Sequence, residues 1–344
     1  MNPMSKQNEL NRSPRAVAGT TEAAAAGTTG AGCALRGTVV VGLGEILWDV
    51  FPDRKRLGGA PANFAYHAAQ LGADATLVSA VGDDDFGREI ERALTEKKLP
   101  ALLPRRNLPT GRVDVSLSAD GVANYVFAEN CAWDDIPFSA EAEALARRCD
   151  AVCFGALAQR DERSRATIRR FLDAVPAGAA RVFDVNLRRD FFTKEILFES
   201  LGRATILKLN EGELPILAAF LAGAEGVAAL AGAETENLLT EARREAFFEA
   251  VFGKFPALGI VALTLGAAGS CVASRGGVRS VLPAETSVRV VDTVGAGDSF
   301  TAGFVCALLA GCDIFAAQRH ASRLSGFVCS RSGAMPEIPE DFRL

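Results

Sequence analysis

Histidine is nearly absent from the chain: only His67 and His320 occur in 344 residues. That scarcity excludes H-E-x-x-H zinc chemistry and leaves a hydrolase triad few candidate bases. The eight cysteines, at 33, 131, 149, 153, 271, 306, 312 and 329, form no C-x-x-C pair, and several interrupt apolar runs such as AVCFGA and GFVCAL. They read as small buried hydrophobes of a reducing compartment. The longest apolar stretch, LGIVALTLGAAGSCVA, is broken by Gly, Thr and Ser. It falls short of the roughly 18 apolar residues that cross a bilayer, so no membrane span is expected. Basic residues come as scattered pairs (Arg105-Arg106, Arg147-Arg148, Arg243-Arg244), and 37 Lys plus Arg face 42 Asp plus Glu, a net charge of −5. No basic stripe tracks phosphates, and a nucleic-acid partner is not expected. G-x-x-x-x-G-K-[ST] and G-x-S-x-G are both missing, which excludes a P-loop and a nucleophile elbow. In VGLGEIL (41–47), Leu47 stands where a dinucleotide fingerprint needs its third Gly.

What remains is an ordinary globular composition, 49% hydrophobic and 23% charged, long enough for two domains or one large α/β unit. Such a chain buries a core without disulfide or metal staples. Residues 1–37 stand apart, rich in Ala, Gly, Thr and Ser, and are expected to be a disordered tail. The tail's four basic and two acidic side chains give +2, so the body carries −7. From residue 38 onward, apolar runs at 38–44, 75–82, 150–157, 180–186, 204–210 and 258–266 predict buried strands. They alternate with helical spacing in PANFAYHAAQLG, DDFGREIERALTEKK, SRATIRRFLDAV and EARREAFFEAVFGKF. This pattern predicts an α/β fold, a mainly parallel sheet covered by helices on both faces, with ligands beyond the carboxyl ends of its strands. One region breaks the alternation. Val113, Val115 and Leu117 alternate with polar residues, and Asp120-Gly121 predicts a hairpin turn before Tyr125-Val126-Phe127. With EILWDVFP (45–52), this reads as an edge hairpin or, functionally, as a lid or dimer surface.

Two segments carry chemistry. In VRVVDTVGAGDSFTAGF (288–304) a strand is expected to end near Val291, Gly295-Ala296-Gly297 to turn, and a helix to follow. Small residues at a helix N-terminus make an anion hole fit for a phosphoryl group. Asp298 is then either a simple N-terminal cap or a base that accepts the proton of an attacking hydroxyl. In LGGAPANFAYHAAQLG (57–72), Gly58-Gly59 and a Pro near the helix start turn backbone amides towards a ligand, with Asn63 on the first turn.

Together GGAPANFA and DTVGAGDSFTAGF resemble the two signature motifs of the PfkB (ribokinase-like) carbohydrate kinase family, and the likeness runs over residues 38–344. GEILWDVFP, ENCAWDDIPF, GALAQRD and SGAMPEIP look most like its bacterial fructokinases. The resemblance implies a three-layer α/β/α fold with a small β-sheet lid from about 45–52 and 110–128. It implies transfer of the γ-phosphoryl group of ATP to a sugar primary hydroxyl, fructose to fructose 6-phosphate first of all. Related substrates are 2-keto-3-deoxygluconate, ribose and aminoimidazole riboside; a non-catalytic sugar-binding regulator is the other class. By the same resemblance Asp298 is the general base, with the amides of Gly295, Ala296 and Gly297 as anion hole. Asp49, Gly59, Asn63, Gln159 and Arg160 face the sugar. Asn186, Arg188, Lys208, Asn210, Thr264, Gly266, Gly269 and His320 face ATP, His320 being equally readable as a packing residue. Glu213 is expected to organise Mg²⁺, partly through water, or else to cap a helix with Asn210. Asp292, with carbonyls around 329–334, resembles a K⁺ site. A cytoplasmic enzyme that dimerises through its lid is the resulting expectation.

Overall fold

The computed structural model describes residues 35–117, 123–230, 240–285 and 288–344. The chain runs from β1 (Val39–Leu43) through β2 (Leu47–Val50) and β3 (Lys55–Gly58) into α1 (Ala60–Leu71). β4 (Asp74–Val78), β5 (Val81–Gly82), α2 (Asp85–Glu96), β6 (Ala101–Leu102) and β7 (Arg105–Arg106) follow. Next come β8 (Arg112–Leu117), β9 (Ala123–Phe127), α3 (Ala140–Ala146), β10 (Ala151–Phe154), α4 (Glu162–Ala174) and β11 (Ala180–Asp184). α5 (Lys194–Arg203), β12 (Ile206–Asn210), α6 (Leu214–Leu230), α7 (Glu241–Lys254) and β13 (Ile260–Thr264) lead to β14 (Ser270–Ser274) and β15 (Arg279–Leu282). α8 (Ala296–Leu309) and α9 (Ile314–Cys329) complete the order.

The apolar runs form one sheet in the order β15-β14-β13-β12-β11-β10-β1-β4-β6. It is parallel from β13 to β6, and β14 and β15 add an antiparallel edge. Period-two alternation sends successive side chains to opposite faces. Val39, Val41, Leu43, Val152, Phe154, Phe183, Leu207, Val261 and Leu263 pack on one side with α3, α4, α5 and α7. Val40, Ala151, Cys153, Val182, Ile206 and Ala262 pack on the other with α1, α8 and α9. That is the expected three-layer α/β/α arrangement. The chain leaves β1 for β4 and β6 on one flank, then returns to β10 on the other. A crevice therefore opens beyond β1 and β10, where strand order reverses.

A separate four-stranded sheet, β3-β2-β8-β9, stands over that crevice. Leu47, Val113 and Val115 bury its inner face together with Phe51 and Phe127. β2 pairs antiparallel with β3 but parallel with β8. β3 is a strand that polar KRLG does not advertise.

Several local expectations change. Residues 288–291 are not a strand: Val290 and Val291 are exposed, and the amide of Val291 bonds the Cys329 carbonyl. The run 75–82 divides into β4 and β5, which pair with β6 and β7. Of the tail, residues 1–34 lie outside the described residues, as does the Asp120-Gly121 turn. Leu35 is fully buried, so the packed body begins before residue 38. Among the described cysteines, five are buried and two are half-buried. No helix among the described residues is long and apolar enough to cross a membrane.

Asp84 joins α2 to the base of the lid. Its carboxylate caps the helix through the Gly87 amide at 2.8 Å and takes both the amide (2.8 Å) and hydroxyl (2.6 Å) of Thr110, two residues before β8. Burial works against the charge, but these bonds hold the carboxyl below its usual range. The stabilisation is therefore complete above the unfolded pKa of about 4 and is lost only as pH falls through the folded value. Asp84→Ala is expected to cost about 1–2 kcal/mol in urea unfolding, equally at pH 7 and at pH 5.

Candidate active site

The crevice is a cleft of about 1420 Å³. Residues just past the strands line its floor: Glu45 after β1, Leu157 after β10, Asn186 and Arg188 after β11, Asn210 ending β12 and Thr264 ending β13. The lid closes one end with Leu47, Asp49, Val113, Tyr125 and Phe127.

α8 starts at the mouth of this cleft. Gly295 caps it with φ 79°, and a Cβ there would lie 2.7 Å from the Ala334 Cα, so only glycine fits. First-turn amides have no carbonyl partner within the helix. That of Ala296 is met only by the Thr293 carbonyl at 3.2 Å. Lys208 reaches up from β12; its Nζ lies 2.9 Å from where a Gly297 Cβ would stand. The helix dipole and this ammonium both direct positive potential at the turn.

Asp298 faces the same pocket. Burial first, and then Asp184, push its carboxyl up to about 6, while Asn63, Lys208 and Arg188 pull the other way. Asn63 Nδ2 donates to its Oδ2 at 2.7 Å. Asn63 is presented by the first turn of α1, whose start depends on Gly59: φ is 115°, and a Cβ would sit 2.5 Å from the Glu45 carbonyl. Beneath Asp298, the Lys208 ammonium pairs with Asp184 at 3.1 Å, and Asp184 also accepts the Thr301 hydroxyl at 2.9 Å. Burial works against the Lys208 charge, yet Asp184, Glu213 and Asp298 hold its pKa above the ordinary lysine value. Burial likewise raises Asp49 to about 6 and Glu45 to about 7.

Of the residues singled out in the sequence, Asp49, Gly59, Asn63, Asn186, Arg188, Lys208, Asn210, Thr264, Gly266, Gly269, Gly295, Ala296, Gly297 and Asp298 line the one cleft. Five do not. Gln159 is buried, its amide donating to the Gly155 carbonyl and the Ser200 hydroxyl. Arg160 is 8% exposed and locked on Asp134 at 2.8 Å, on the Ala128 carbonyl at 2.6 Å and over the Trp133 ring. It joins the end of the lid to the body through Nε and Nη2, while its buried Nη1 has no hydrogen-bond partner among the described residues. His320 packs its ring against Phe342. Glu213 accepts the amides of Asn210 and Leu187, both at 2.8 Å, while Asn210 Oδ1 accepts the Gly212 and Glu213 amides: a capping arrangement. Asp292 is paired with Arg56. Conversely, Glu45 and the Asp184–Thr301 pair were not singled out. Glu45 reads as strand continuation, and Asp184 lies inside the apolar run 180–186, so a charged residue within a buried run was their available signal.

Comparison with known proteins agrees with this geometry. The model of the pfkB family of carbohydrate kinases matches residues 36–341, and the chain belongs to that family. A fructokinase from Klebsiella pneumoniae is 34% identical over 287 residues, which are 78% of this chain and 83% of the relative. Two solved structures show the shared fold. A double mutant of the Vibrio cholerae O395 fructokinase, with fructose, ADP and potassium ion bound, has TM-score 0.70 at 22% identity, over 88% of this chain and 95% of that one. The Xylella fastidiosa fructokinase with bound ATP has TM-score 0.72 at 20% identity, over 88% and 95%.

The placement of Arg160 is directly testable. Arg160→Met leaves the buried Asp134 carboxylate without its counter-charge and is expected to cost about 3–5 kcal/mol. Stability measured by urea unfolding is expected to fall far more than the affinity for sugar that survives in the folded fraction.

Proposed function

We propose, for this member of the pfkB carbohydrate kinase family, an ATP-dependent sugar kinase whose preferred acceptor is fructose and whose product is fructose 6-phosphate. The carrying observation is Asp298: a buried carboxylate in the first turn of α8, oriented by Asn63, beside a helix N-terminus and the Lys208 ammonium. Identity to the Klebsiella pneumoniae fructokinase supports the choice of sugar.

In this reading the sugar lies at the lid end of the cleft, where Asp49 and Asn63 offer acceptors and donors to its hydroxyls. Asp298, with its carboxyl raised to about 6, is largely ionised at neutral pH yet basic enough to accept the proton of the attacking primary hydroxyl. The γ-phosphoryl group sits against the turn 295–297, whose amides and helix dipole stabilise charge spreading over its oxygens. Asn186, Arg188, Asn210, Thr264, Gly266 and Gly269 lie along the same cleft and hold the nucleotide. The lid's apolar face excludes water from the transfer. Exposed Tyr125 and Val126, 48% and 49% accessible, give the lid a surface for pairing with a second copy.

Mg²⁺ supplies charge neutralisation at the phosphates when bound. The described residues contain no group of three or more His, Cys, Asp or Glu suited to a metal. Both oxygens of Glu213 are turned to backbone amides, so direct ligation by Glu213 does not fit. Mg²⁺ is instead expected to arrive on ATP, held by phosphate oxygens and water.

ADP release from MgATP, measured across fructose, ribose, 2-keto-3-deoxygluconate, glucose and aminoimidazole riboside, tests the reading. The highest kcat/KM is expected for fructose; a different preferred sugar discards that acceptor, and no turnover points to a substrate outside the panel or to the non-catalytic sugar-binding reading. Asp298→Asn is expected to lower kcat by roughly 10²–10⁴-fold. In the wild type, kcat/KM is expected to fall as pH drops through about 6 and the Asp298 carboxylate takes up a proton.

A further inference from the structure

Asp292 lies on the loop that leads into the 295–297 turn, and the resemblance assigns it to a monovalent-cation site with carbonyls around 329–334. The residues present do not fit a cation there. Asp292 Oδ2 accepts Arg56 Nη1 at 2.7 Å and the Gly333 amide at 3.0 Å, and Oδ1 accepts the Val294 amide at 3.1 Å. Arg56 Nη2 also donates to the Ser332 hydroxyl at 3.0 Å. The Cys329 carbonyl is engaged as well, accepting the amides of Val291 at 2.8 Å and Asp292 at 3.2 Å. The donors gathered at this carboxylate already include one full positive charge. Burial opposes ionisation of Asp292, yet the Gly333 and Val294 amides and Arg56 keep its carboxyl below the usual range.

The position of the pair matters more than its surface energy. Arg56 belongs to β3 of the lid. Its guanidinium reaches two loops of the body, 292–294 and 332–333, and Ala334, the next residue of the second loop, abuts Gly295 at the mouth of the anion pocket. Those loops are the ones a bound cation would draw together beneath the 295–297 turn. A guanidinium supplies the same single charge, cannot be deprotonated, and spreads it over planar donors that hold several oxygens at once.

We propose that the Arg56 guanidinium takes the place of the monovalent cation at Asp292, so that this kinase shapes its anion pocket without K⁺ and ties the lid to it in the same contact. Removing the guanidinium then uncovers a cation requirement: Asp292 regains a carboxylate oxygen with no charged partner, beside the carbonyls of the 329–334 loop.

The inference uses the kinase reading for one of its two readouts only. ADP release from MgATP, with the best sugar of the panel, is measured in tetramethylammonium chloride with and without KCl at constant ionic strength. Wild-type rates are expected to agree within about twofold. Arg56→Met is expected to lose about tenfold or more without K⁺ and to regain most of that with it, while Arg56→Lys stays indifferent to K⁺. Thermal unfolding is followed in the same buffers without substrate. K⁺ is expected to raise the melting temperature of Arg56→Met and not that of the wild type, because only a state that binds the ion is stabilised by it.

Strong K⁺ activation or K⁺-specific stabilisation of the wild type overturns the proposal. So does a folded Arg56→Met that is indifferent to K⁺ in both readouts; if that variant does not fold, Arg56→Gln carries the same comparison. Failure of every sugar to turn over falls on the functional reading alone, since the melting comparison still decides the role of Arg56.

Discussion

Two carboxylates and one ammonium share a buried neighbourhood at the heart of this protein, and the rest of the site is arranged around their balance. The Asp184 charge works against ionisation of the buried Asp298, and Lys208, which pairs with Asp184, pulls the other way. Without Lys208 two buried negative charges would lie side by side, a condition that proteins relieve by keeping one of them protonated. With it, Asp184 is fully engaged by Lys208 and the Thr301 hydroxyl, and Asp298 is left with a single side-chain donor, Asn63. Asp184 thus receives two side-chain donors and Asp298 one.

The fold brings these groups together because the sheet reverses its order between β1 and β10. Asp184 ends β11 and Lys208 lies in β12, neighbouring strands paired in register. Asn63 comes from α1 and Asp298 from α8, two helices packed on the same face of the sheet. The carboxyl ends of several strands and the N-termini of two helices thus converge on the same buried side chains.

Much of this was legible in the linear chain. Continuous apolar runs are strands buried on both faces, and six such runs mark β1, β4, β10, β11, β12 and β13. The two glycine-rich helix starts were legible because a helix that begins at a tight turn beneath a ligand needs small residues there. Other features were not. β3 is polar because it lies at the rim of the lid, and β14 and β15 form an edge whose hydrophobicity is unremarkable. Gln159 and Arg160 follow a strand end, where polar side chains ordinarily meet ligands. Their partners Ser200 and Asp134 lie 41 and 26 residues away in sequence, a distance that no local pattern spans. Asp292 was singled out by resemblance as part of a K⁺ site, but the residue that answers it, Arg56, is 236 positions distant.

The lid has one property that its strand order alone imposes. Its four strands come from two separate excursions of the chain, β2–β3 between β1 and α1, and β8–β9 between β7 and the 3₁₀ turn at Ala132–Asp135. The sheet is thus suspended from the body at four crossings, like a tabletop on four legs rather than a door on one hinge. Any displacement of the lid is therefore shared by all four crossings at once. A change at one crossing is thus carried to strands that lie far apart in sequence, from β3 to β9.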